Sequence, residues 1–292
     1  AKMAFLGAPA PLRDGDFDAV VITHEYGHGV SNRLTGGRLV TGCLNDDEQM
    51  GEGWSDFLGL VLTHDGNRSV QRTRGLGPYI RFTGIDGPGI RTTRYSTDMT
   101  INPTTYGTTT TGTLSVPHGI GYAWATALWE VYWNLIDKHG FNQNVYDSWD
   151  TGGNNLAIQL VMDGMKLQPC GPGFVTGRNA ILQADTLLTG GENTCAIWRG
   201  FAKRGLGASA SQGSSNNRSD GVEAFDLPAS CLLATFGGFR PPVQPAPIVN
   251  DFDAGETVPL KFSVSGVSNV LVDSQEVDCS TLEPVGTSPT AI

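Results

Sequence analysis

Up to about residue 204, hydrophobic positions recur mainly at the three- and four-residue spacings of an amphipathic helix. The first such set shares one predicted helix face and comprises Phe17, Val20, Val21, His24 and His28. Asp16 or Asp18 near its start could cap this helix. Further helices are predicted over 49–63, 119–139, 155–167, 174–188 and 194–204. Residues 66–117 are rich in Gly, Thr and Pro, so we expect loops and short strands there.

The composition changes near residue 228. The last 65 residues contain eight of the 16 prolines but only five of the 39 glycines. Proline removes a backbone donor and fixes φ, so residues 228–247 are interpreted as an extended linker. Short strands are predicted over 257–265 and 269–272, with a turn at Gly266. The sequence therefore predicts a helical lobe over 1–227 and a small β module over 248–292.

The composition also restricts the possible partners. The 29 acidic and 19 basic side chains give a net charge of -10, which repels phosphate backbones and anionic lipids, so nucleic-acid binding is not expected. Apolar runs are far shorter than the roughly 20 residues that cross a bilayer, so we expect no membrane span. None of the five cysteines lies in a C-x-x-C pair, which argues against zinc-finger and thioredoxin motifs.

The candidate chemistry is concentrated in residues 24–28, which read His-Glu-Tyr-Gly-His and form an H-E-x-x-H motif. On a helix, positions i and i+4 lie on one face. His24 and His28 can therefore both direct an imidazole at one tetrahedral metal ion, with Glu25 beside it. The motif predicts a zinc site on the first helix.

A zinc ion that keeps one position open for water needs a third protein ligand. Glu52 on the next predicted helix is the best candidate. Asp56, four residues later on the same face, could accept the spare N–H of a ligand histidine. An ordinary acidic helix start is the alternative interpretation of both residues, and the histidine pair upstream argues against it. A third histidine placed as in the metzincins is absent, because that position is Leu34.

Three further histidines complete the set of five. His64 follows one predicted helix and His139 lies in the last turn of another, where the helix dipole favours a cation, so a structural role is expected for both. His118 opens a long predicted helix, where it could donate a hydrogen bond to an oxyanion. A histidine without catalytic duty is the alternative for this position.

A series of motifs in consistent order resembles the fungalysin family of metallopeptidases. These motifs lie at 13–18 (RDGDFD), 24–37 (HEYGHGVSNRLTGG), 43–45 (CLN), 49–56 (QMGEGWSD), 95–99 (YSTDM), 116–121 (VPHGIG), 133–140 (WNLIDKHG), 180–185 (AILQAD), 204–207 (RGLG) and 209–213 (SASQG). The likeness extends over about residues 1–227. It implies an α+β fold in which a mainly helical, thermolysin-like C-terminal catalytic lobe with long loops carries the zinc site.

The resemblance also assigns roles to individual residues. The matching positions are His24, His28 and Glu52 as zinc ligands, Glu25 as the general base, Asp56 as the carboxylate behind the ligands and His118 as the histidine that stabilises the tetrahedral intermediate. In thermolysin-like enzymes an aspartate five residues upstream orients that histidine. Here the position is Thr113, so what holds His118 in place is an open question at this stage.

The function implied by the resemblance is that of a secreted, monomeric zinc metalloendopeptidase with one zinc ion per chain and protein or peptide substrates. In this architecture a β-rich lobe precedes the zinc helix and an inhibitory propeptide lies upstream. Only 23 residues precede His24, so half of the cleft and much of the activity are expected to depend on segments outside this chain. A non-catalytic secreted binding or adhesion fragment and a gluzincin aminopeptidase are the alternatives.

The tail and the cysteines carry weaker expectations. Residues 254–264, through Pro-Leu-Lys-Phe at 259–262, resemble PxKF-type modules of bacterial secreted proteins, which implies a small, partial β-sandwich-like module; a generic β extension is the alternative. In a secreted lobe, Cys170–Cys195 is the favoured disulfide. Cys231 could then pair with Cys279, which leaves Cys43 free.

The alternating aspartates Asp14, Asp16 and Asp18 resemble part of a calcium loop. The glycine and terminal glutamate of such a loop do not follow in register. Helix capping is therefore the favoured interpretation of these three residues.

Overall fold

The computed structural model describes residues 13–66, 72–84 and 86–232, and of the remaining chain 235–244, 248, 250–251, 253, 258, 261–265, 273–274 and 290–291. The chain divides into two compact units, Ala1–Pro228 and Ala229–Ile292. The described part contains no helix that is both long and apolar enough to cross a membrane.

The first unit is mainly helical, as predicted. Its helices are α1 (Ala19–Leu34), α2 (Met50–Leu62), α3 (Tyr106–Thr110), α4 (His118–His139), α5 (Gly153–Leu167), α6 (Phe174–Thr189) and α7 (Thr194–Lys203). The predicted bounds of α2 and of α4 to α7 agree with the structure to within two residues. The short strands β1 (Thr73–Arg74) and β2 (Tyr95–Ser96) pair antiparallel within the segment where loops and short strands were expected.

The short helix α3 was not predicted, because its sequence Tyr-Gly-Thr-Thr-Thr has no hydrophobic period. Side-chain capping stabilises it instead. The hydroxyl of Thr108 accepts a hydrogen bond from the backbone N–H of Thr105, which precedes the helix, at 3.1 Å. Such reciprocal caps satisfy backbone groups that the first turn of a helix leaves unpaired.

The start of α1 is defined by aspartate caps, as favoured above. Asp18 precedes the helix, and its carboxylate accepts hydrogen bonds from the backbone N–H groups of Val20, at 3.1 Å, and of Tyr79, at 3.2 Å. Asp14 caps the preceding 3-10 turn by accepting from the N–H of Asp16. Phe17 lies in that turn, before α1, and is 76% exposed, so its predicted place on the helix face with Val20 and His24 is wrong.

Helices α1 and α2 cross in close contact at Gly27. A Cβ atom on Gly27 would lie only 2.9 Å from Cα of Ser55 in α2, so a larger residue at position 27 would push the helices apart. Helix α2 meets α4 in the same way. A Cβ on Gly121 would lie 2.3 Å from Cβ of Glu52. These two close approaches hold α2 between α1 and α4 and fix the place of Glu52.

The core of the first unit lies around α2 and α4. Helix α4 is buried on nearly all sides, which is why its apolar residues show little amphipathic contrast. The indole rings of Trp54 and Trp124 meet edge to face with centroids 5.0 Å apart. Aromatic pairs in this geometry add to the stabilisation that comes from burial itself.

The disulfide of the first unit differs from the expected one. Cys170, just after α5, bonds to Cys43 in the loop between α1 and α2. The predicted Cys170–Cys195 pair and the predicted free thiol at Cys43 are therefore wrong. The backbone N–H of Gly171 also donates to the carbonyl of Cys43 at 2.8 Å. Tertiary packing brings these two loops together, and linear spacing carries no signal for it.

The described strands of the second unit form antiparallel pairs. Strand β3 (Thr235–Arg240) pairs with β4 (Lys261–Ser265), and β5 (Asp273–Ser274) pairs with β6 (Thr290–Ala291). The register of β3 and β4 shifts once along the pair. The predicted strand 257–265 is thus observed over its last five residues, whereas the predicted strand 269–272, Gly266 and Cys279 lie outside the described residues.

Strand β3 falls within the segment 228–247 that the sequence analysis interpreted as a linker. Its sequence Thr-Phe-Gly-Gly-Phe-Arg contains two glycines, which weaken the strand signal. Its neighbouring prolines also favour a linker interpretation. For these two reasons the pattern of the sequence did not predict this strand.

Candidate metal centre

The three predicted zinc ligands converge on one point. One ligand atom from each of His24, His28 and Glu52 can be chosen so that all three lie within 4.8 Å of one another. Nε2 of His24 is 3.3 Å from Oε2 of Glu52, and Nε2 of His28 is 3.7 Å from Oε1. Two ligand atoms about 2.0 Å from a tetrahedral zinc ion lie about 3.3 Å apart. The spacing and the two-nitrogen, one-carboxylate donor set therefore fit zinc.

The fold positions these side chains from opposite sides. His24 and His28 are one turn apart on α1, and their rings meet edge to face with centroids 4.8 Å apart. Glu52 lies in the first turn of α2, where the helix dipole stabilises a carboxylate. The glycine crossing of α1 and α2 brings this turn against the histidine pair.

Asp56 lies directly behind the first histidine. Its Oδ1 is 2.7 Å from Nδ1 of His24, and the side chain is fully buried. A carboxylate on Nδ1 fixes the imidazole tautomer and leaves Nε2 free to bind a metal ion. The role predicted for Asp56 is compatible with this geometry.

A buried arginine connects the two carboxylates of α2. Arg91 donates from Nε and Nη2 to the two oxygens of Asp56, at 2.7 Å and 2.6 Å, and its Nη2 also lies 3.1 Å from Oε2 of Glu52. The hydroxyl of Tyr95 donates to the same Asp56 carboxylate. Four hydrogen bonds from His24, Arg91 and Tyr95 thus fix the orientation of Asp56.

The charges of this network shift the pKa values of its members. Although burial alone raises the pKa of Asp56, Arg91 and His24 lower it to about 2. Burial lowers the pKa of His24, but the carboxylates of Asp56 and Glu52 outweigh burial and raise it to about 9. Burial and the charge of His24 lower the pKa of His28. Metal binding by His24 therefore displaces a proton, so we expect it to strengthen as the pH rises.

The two predicted catalytic residues lie at the same site and are open to solvent. Glu25 is exposed beside the histidine pair. Nε2 of His118, at the first residue of α4, lies 3.5 Å from Oε1 of Glu52, and its side chain is 58% exposed. Thr113, at the position of the orienting aspartate, shares a hydrogen bond with the hydroxyl of Thr111. The polar contact of His118 in the structure is the one with Glu52.

These residues line one cleft with a volume of about 740 Å³. The cleft contains the H-E-x-x-H side chains together with Glu52, Arg91 and His118. Its other walls come from Val21, Leu76, Arg81, residues 89–92 and Ser115. The arrangement can hold a metal ion, present a carboxylate to a water molecule and offer a histidine N–H to a developing negative charge.

Sequence reasoning missed Arg91 as a member of the centre, and it noted Tyr95 only as the first residue of the motif 95–99, without its contact to Asp56. Both lie in the segment 66–117, where no hydrophobic period predicts a contact with α2. A physical signal was nevertheless available. A buried Asp56 behind a cationic histidine network requires hydrogen-bond donors, and arginine presents a fork that matches a carboxylate.

The remaining two histidines take no part in the centre. His64 is buried among aromatic rings, with Nδ1 2.6 Å from the hydroxyl of Tyr132. Burial and the charge of Arg74 lower the pKa of His64 to about 4. Its structural role is as predicted, but it is neutral at pH 7 and not the expected cation. Nε2 of His139 lies 2.6 Å from Oδ1 of Asn193.

Comparison with known proteins agrees with the motifs. The family model described as fungalysin metallopeptidase (M36) matches residues 1–210, which is more than two thirds of the chain. The chain belongs to the fungalysin family. The H-E-x-x-H helix, the Glu52 helix and His118 all lie within the matched segment.

Relatives of this fungalysin chain include extracellular metalloproteinases of three organisms. An extracellular metalloproteinase of Aspergillus fumigatus is 51% identical over 214 residues, which are 70% of this chain and 33% of the relative. An extracellular metalloproteinase of Fusarium vanettenii is 48% identical over 227 residues, 75% of this chain and 34% of the relative. Extracellular metalloproteinase 2 of Trichophyton tonsurans is 45% identical over 229 residues, 76% of this chain and 34% of the relative. The chain spans about a third of the length of these relatives.

Proposed function

We propose that this protein is a secreted zinc-dependent metalloendopeptidase that hydrolyses internal peptide bonds of proteins and peptides. The observation that carries the proposal is the convergence of His24, His28 and Glu52, with Glu25 exposed beside them in one cleft. The similarity to extracellular metalloproteinases supports the proposal. The proposal assigns one zinc ion to each chain.

In this proposal His24, His28 and Glu52 hold the ion, which when bound lowers the pKa of a water molecule and polarises the scissile carbonyl. Glu25 takes the proton of the attacking water and delivers it to the leaving amine. Asp56 holds His24 in the binding tautomer. His118 donates a hydrogen bond to the negative charge that develops on the carbonyl oxygen.

The partners and organisation of the whole protein are also proposals. We infer an inhibitory propeptide and a β-rich lobe that completes the cleft, both supplied by segments outside this chain. Residues 1–227 then form the catalytic lobe. The partial β module proposed over 248–292 also takes in β3 from the segment 228–247, because β3 pairs with β4. A monomer is the proposed state.

Exchanging Glu25 for Gln tests the chemistry. In the full-length protein, Glu25→Gln should retain one zinc ion per chain, measured by elemental analysis, and lose nearly all cleavage of casein, because the amide cannot accept the proton of water. His24→Ala should instead lose the zinc. A Glu25→Gln variant that cleaves casein at a rate near that of the wild type would overturn the assignment.

The same assays separate the alternatives. A non-catalytic binding fragment would leave casein intact even with zinc bound. An aminopeptidase would require a free α-amine on its substrate, so cleavage of internal bonds in a peptide with a blocked N-terminus would exclude that activity.

A further inference from the structure

The cleft contains a cation that the proposed chemistry does not use. Arg81 lines the cleft together with Val21, Leu76 and Ile90. Its guanidinium has no hydrogen bond or ion pair among the residues that the structure describes. The residue is partly exposed and lines the cleft, so its charge is accessible to a substrate there.

The other arginine of the cleft is not comparable. Arg91 is engaged by the carboxylates of Asp56 and Glu52, and these two acids neutralise its charge. Glu25 lines the same cleft, and among the described side chains no ion pair joins it to Arg81. Of the two arginines that line the described cleft, Arg81 is therefore the one whose charge can interact with a ligand.

The surroundings of Arg81 favour an anionic ligand with an apolar body. Leu76 and Val21 are buried and contribute apolar wall to the cleft. Charge interactions beside such a wall are less screened than those in open water. The planar fork of an arginine matches the two oxygens of a carboxylate.

We propose that Arg81 is a specificity-determining residue that recognises a carboxylate of the substrate. This carboxylate belongs either to an Asp or Glu side chain near the scissile bond or to the C-terminus of a peptide. The proposal rests on the proposed peptidase function and names the substrate class that the same site prefers.

The experiment compares matched peptides with the full-length, zinc-loaded protein. The reference is an internally quenched, C-terminally amidated peptide that carries Gln at every variable position. In one series Glu replaces Gln at one position at a time on either side of the scissile bond. In another the reference peptide ends in a free carboxylate at increasing distance from that bond.

We expect at least one carboxylate-bearing peptide to have a kcat/KM about tenfold above that of the reference, as for a partly exposed charge-assisted contact. The series in which it occurs identifies the source of the carboxylate. Arg81→Gln should reduce this ratio to about one. Arg81→Glu should invert it and favour a peptide with Lys at the same position. Arg38→Gln, an exposed arginine outside the cleft, should keep the ratio of the wild type.

Three results would overturn the proposal. Equal kcat/KM values for neutral and carboxylate-bearing peptides would reject Arg81 recognition while leaving the peptidase function intact. An equal loss of kcat/KM for all peptides in Arg81→Gln, in a variant with unchanged thermal unfolding, would show that Arg81 acts through Glu25 or the fold. Absence of cleavage of every peptide would reject the proposed function itself.

Discussion

At the scale of single residues, the centre depends on a carboxylate that has no access to water. Asp56 is fully buried and interacts with His24, Arg91 and Tyr95. A buried ion is stable only while its partners remain, because removal of one partner leaves an uncompensated charge in a medium of low polarity. The stability of this lobe and the orientation of its metal ligands therefore depend on the same contacts.

The first prediction concerns Arg91. Arg91→Gln should lower the free energy of unfolding by about 3–5 kcal/mol, because Asp56 would keep its burial and lose its strongest partner. Zinc affinity should also fall about 10- to 100-fold, since Asp56 and Glu52 would lose the arginine that orients them. Urea denaturation and a competitive zinc titration measure the two effects. Arg38→Gln is the matched control, and equal loss of stability in both variants would contradict the prediction.

Residue identity explains which members of the centre could be found from the sequence. Helical spacing, which is visible in a linear chain, ties Glu25 to the histidine pair. Glu52 was found as an acidic residue on the next predicted helix and through the family motif 49–56. Arg91 and Tyr95 reach the centre from loops and a two-residue strand. Their contribution depends on tertiary contacts with Asp56, so it became visible only once α2 was placed.

At the scale of secondary-structure elements, a second buried carboxylate, that of Glu48, anchors the loop before α2 to neighbouring helices. Glu48 accepts hydrogen bonds from the backbone N–H of Phe174, at the start of α6, and from the hydroxyl of Tyr106 in α3, at 2.9 Å. Burial is the main reason that the pKa of Glu48 is raised to about 7. This side chain joins α3 and α6 to the loop that leads to Glu52.

The second prediction is a loss of stability with rising pH. A carboxyl group whose pKa is higher in the folded than in the unfolded state binds its proton more tightly when folded. Its stabilising contribution is therefore complete below the ordinary pKa of 4.5 and is lost as the pH rises through about 7. For Glu48 this loss amounts to roughly 2–3 kcal/mol. Urea unfolding between pH 4.5 and 8 should show it.

Glu48→Gln cannot ionise, so its stability should fall less over this pH range than that of the wild type. Asp46 is also buried, and burial raises its pKa to about 6, so part of the pH dependence should remain in this variant. Asp47→Asn changes an exposed neighbour and serves as the control. Identical pH dependence in the wild type and Glu48→Gln would contradict the prediction.

The third prediction concerns the disulfide Cys43–Cys170, which links the loop before α2 to the chain after α5. It closes a loop with a sequence separation of 127 residues, and a cross-link over such a length restricts the unfolded chain strongly. The double variant Cys43→Ser with Cys170→Ser should lower the free energy of unfolding by about 3–5 kcal/mol. Chemical denaturation under non-reducing conditions measures this loss. An unchanged denaturation midpoint would show that packing alone fixes the loop.

At the scale of the whole molecule, the helices followed from the sequence because each long helix buries a continuous apolar face or is apolar throughout. In the segment 66–117 short strands were expected but not their positions, and in the tail β4 was predicted but β3 was not. The strands β1 and β2 are two residues long, too short to show a period, and β3 contains two glycines. Contacts between distant segments, such as Cys43 with Cys170, were equally out of reach because linear distance carries no information about them.

The two units differ in tryptophan content, so the effect of zinc on the stability of the first unit can be measured separately. All six tryptophans lie between residues 54 and 198, so indole fluorescence reports the unfolding of Ala1–Pro228 and not of Ala229–Ile292. A ligand that binds only the folded state stabilises it by about 2.7 kcal/mol at a concentration 100 times its Kd. For a unit of this size, that corresponds to a rise in Tm of about 5–10 °C.

The fourth prediction follows from this difference. Zinc at that concentration should raise the Tm of the tryptophan-monitored transition by this amount relative to chelator-treated protein. His28→Ala should abolish the response, because the centre would lose one of its three protein ligands, whereas His139→Ala, on the far end of α4, should retain it. A zinc response that survives in His28→Ala would place the metal outside the α1–α2 crossing. Such a result would also contradict the chemistry proposed for Glu25, which requires zinc at that crossing.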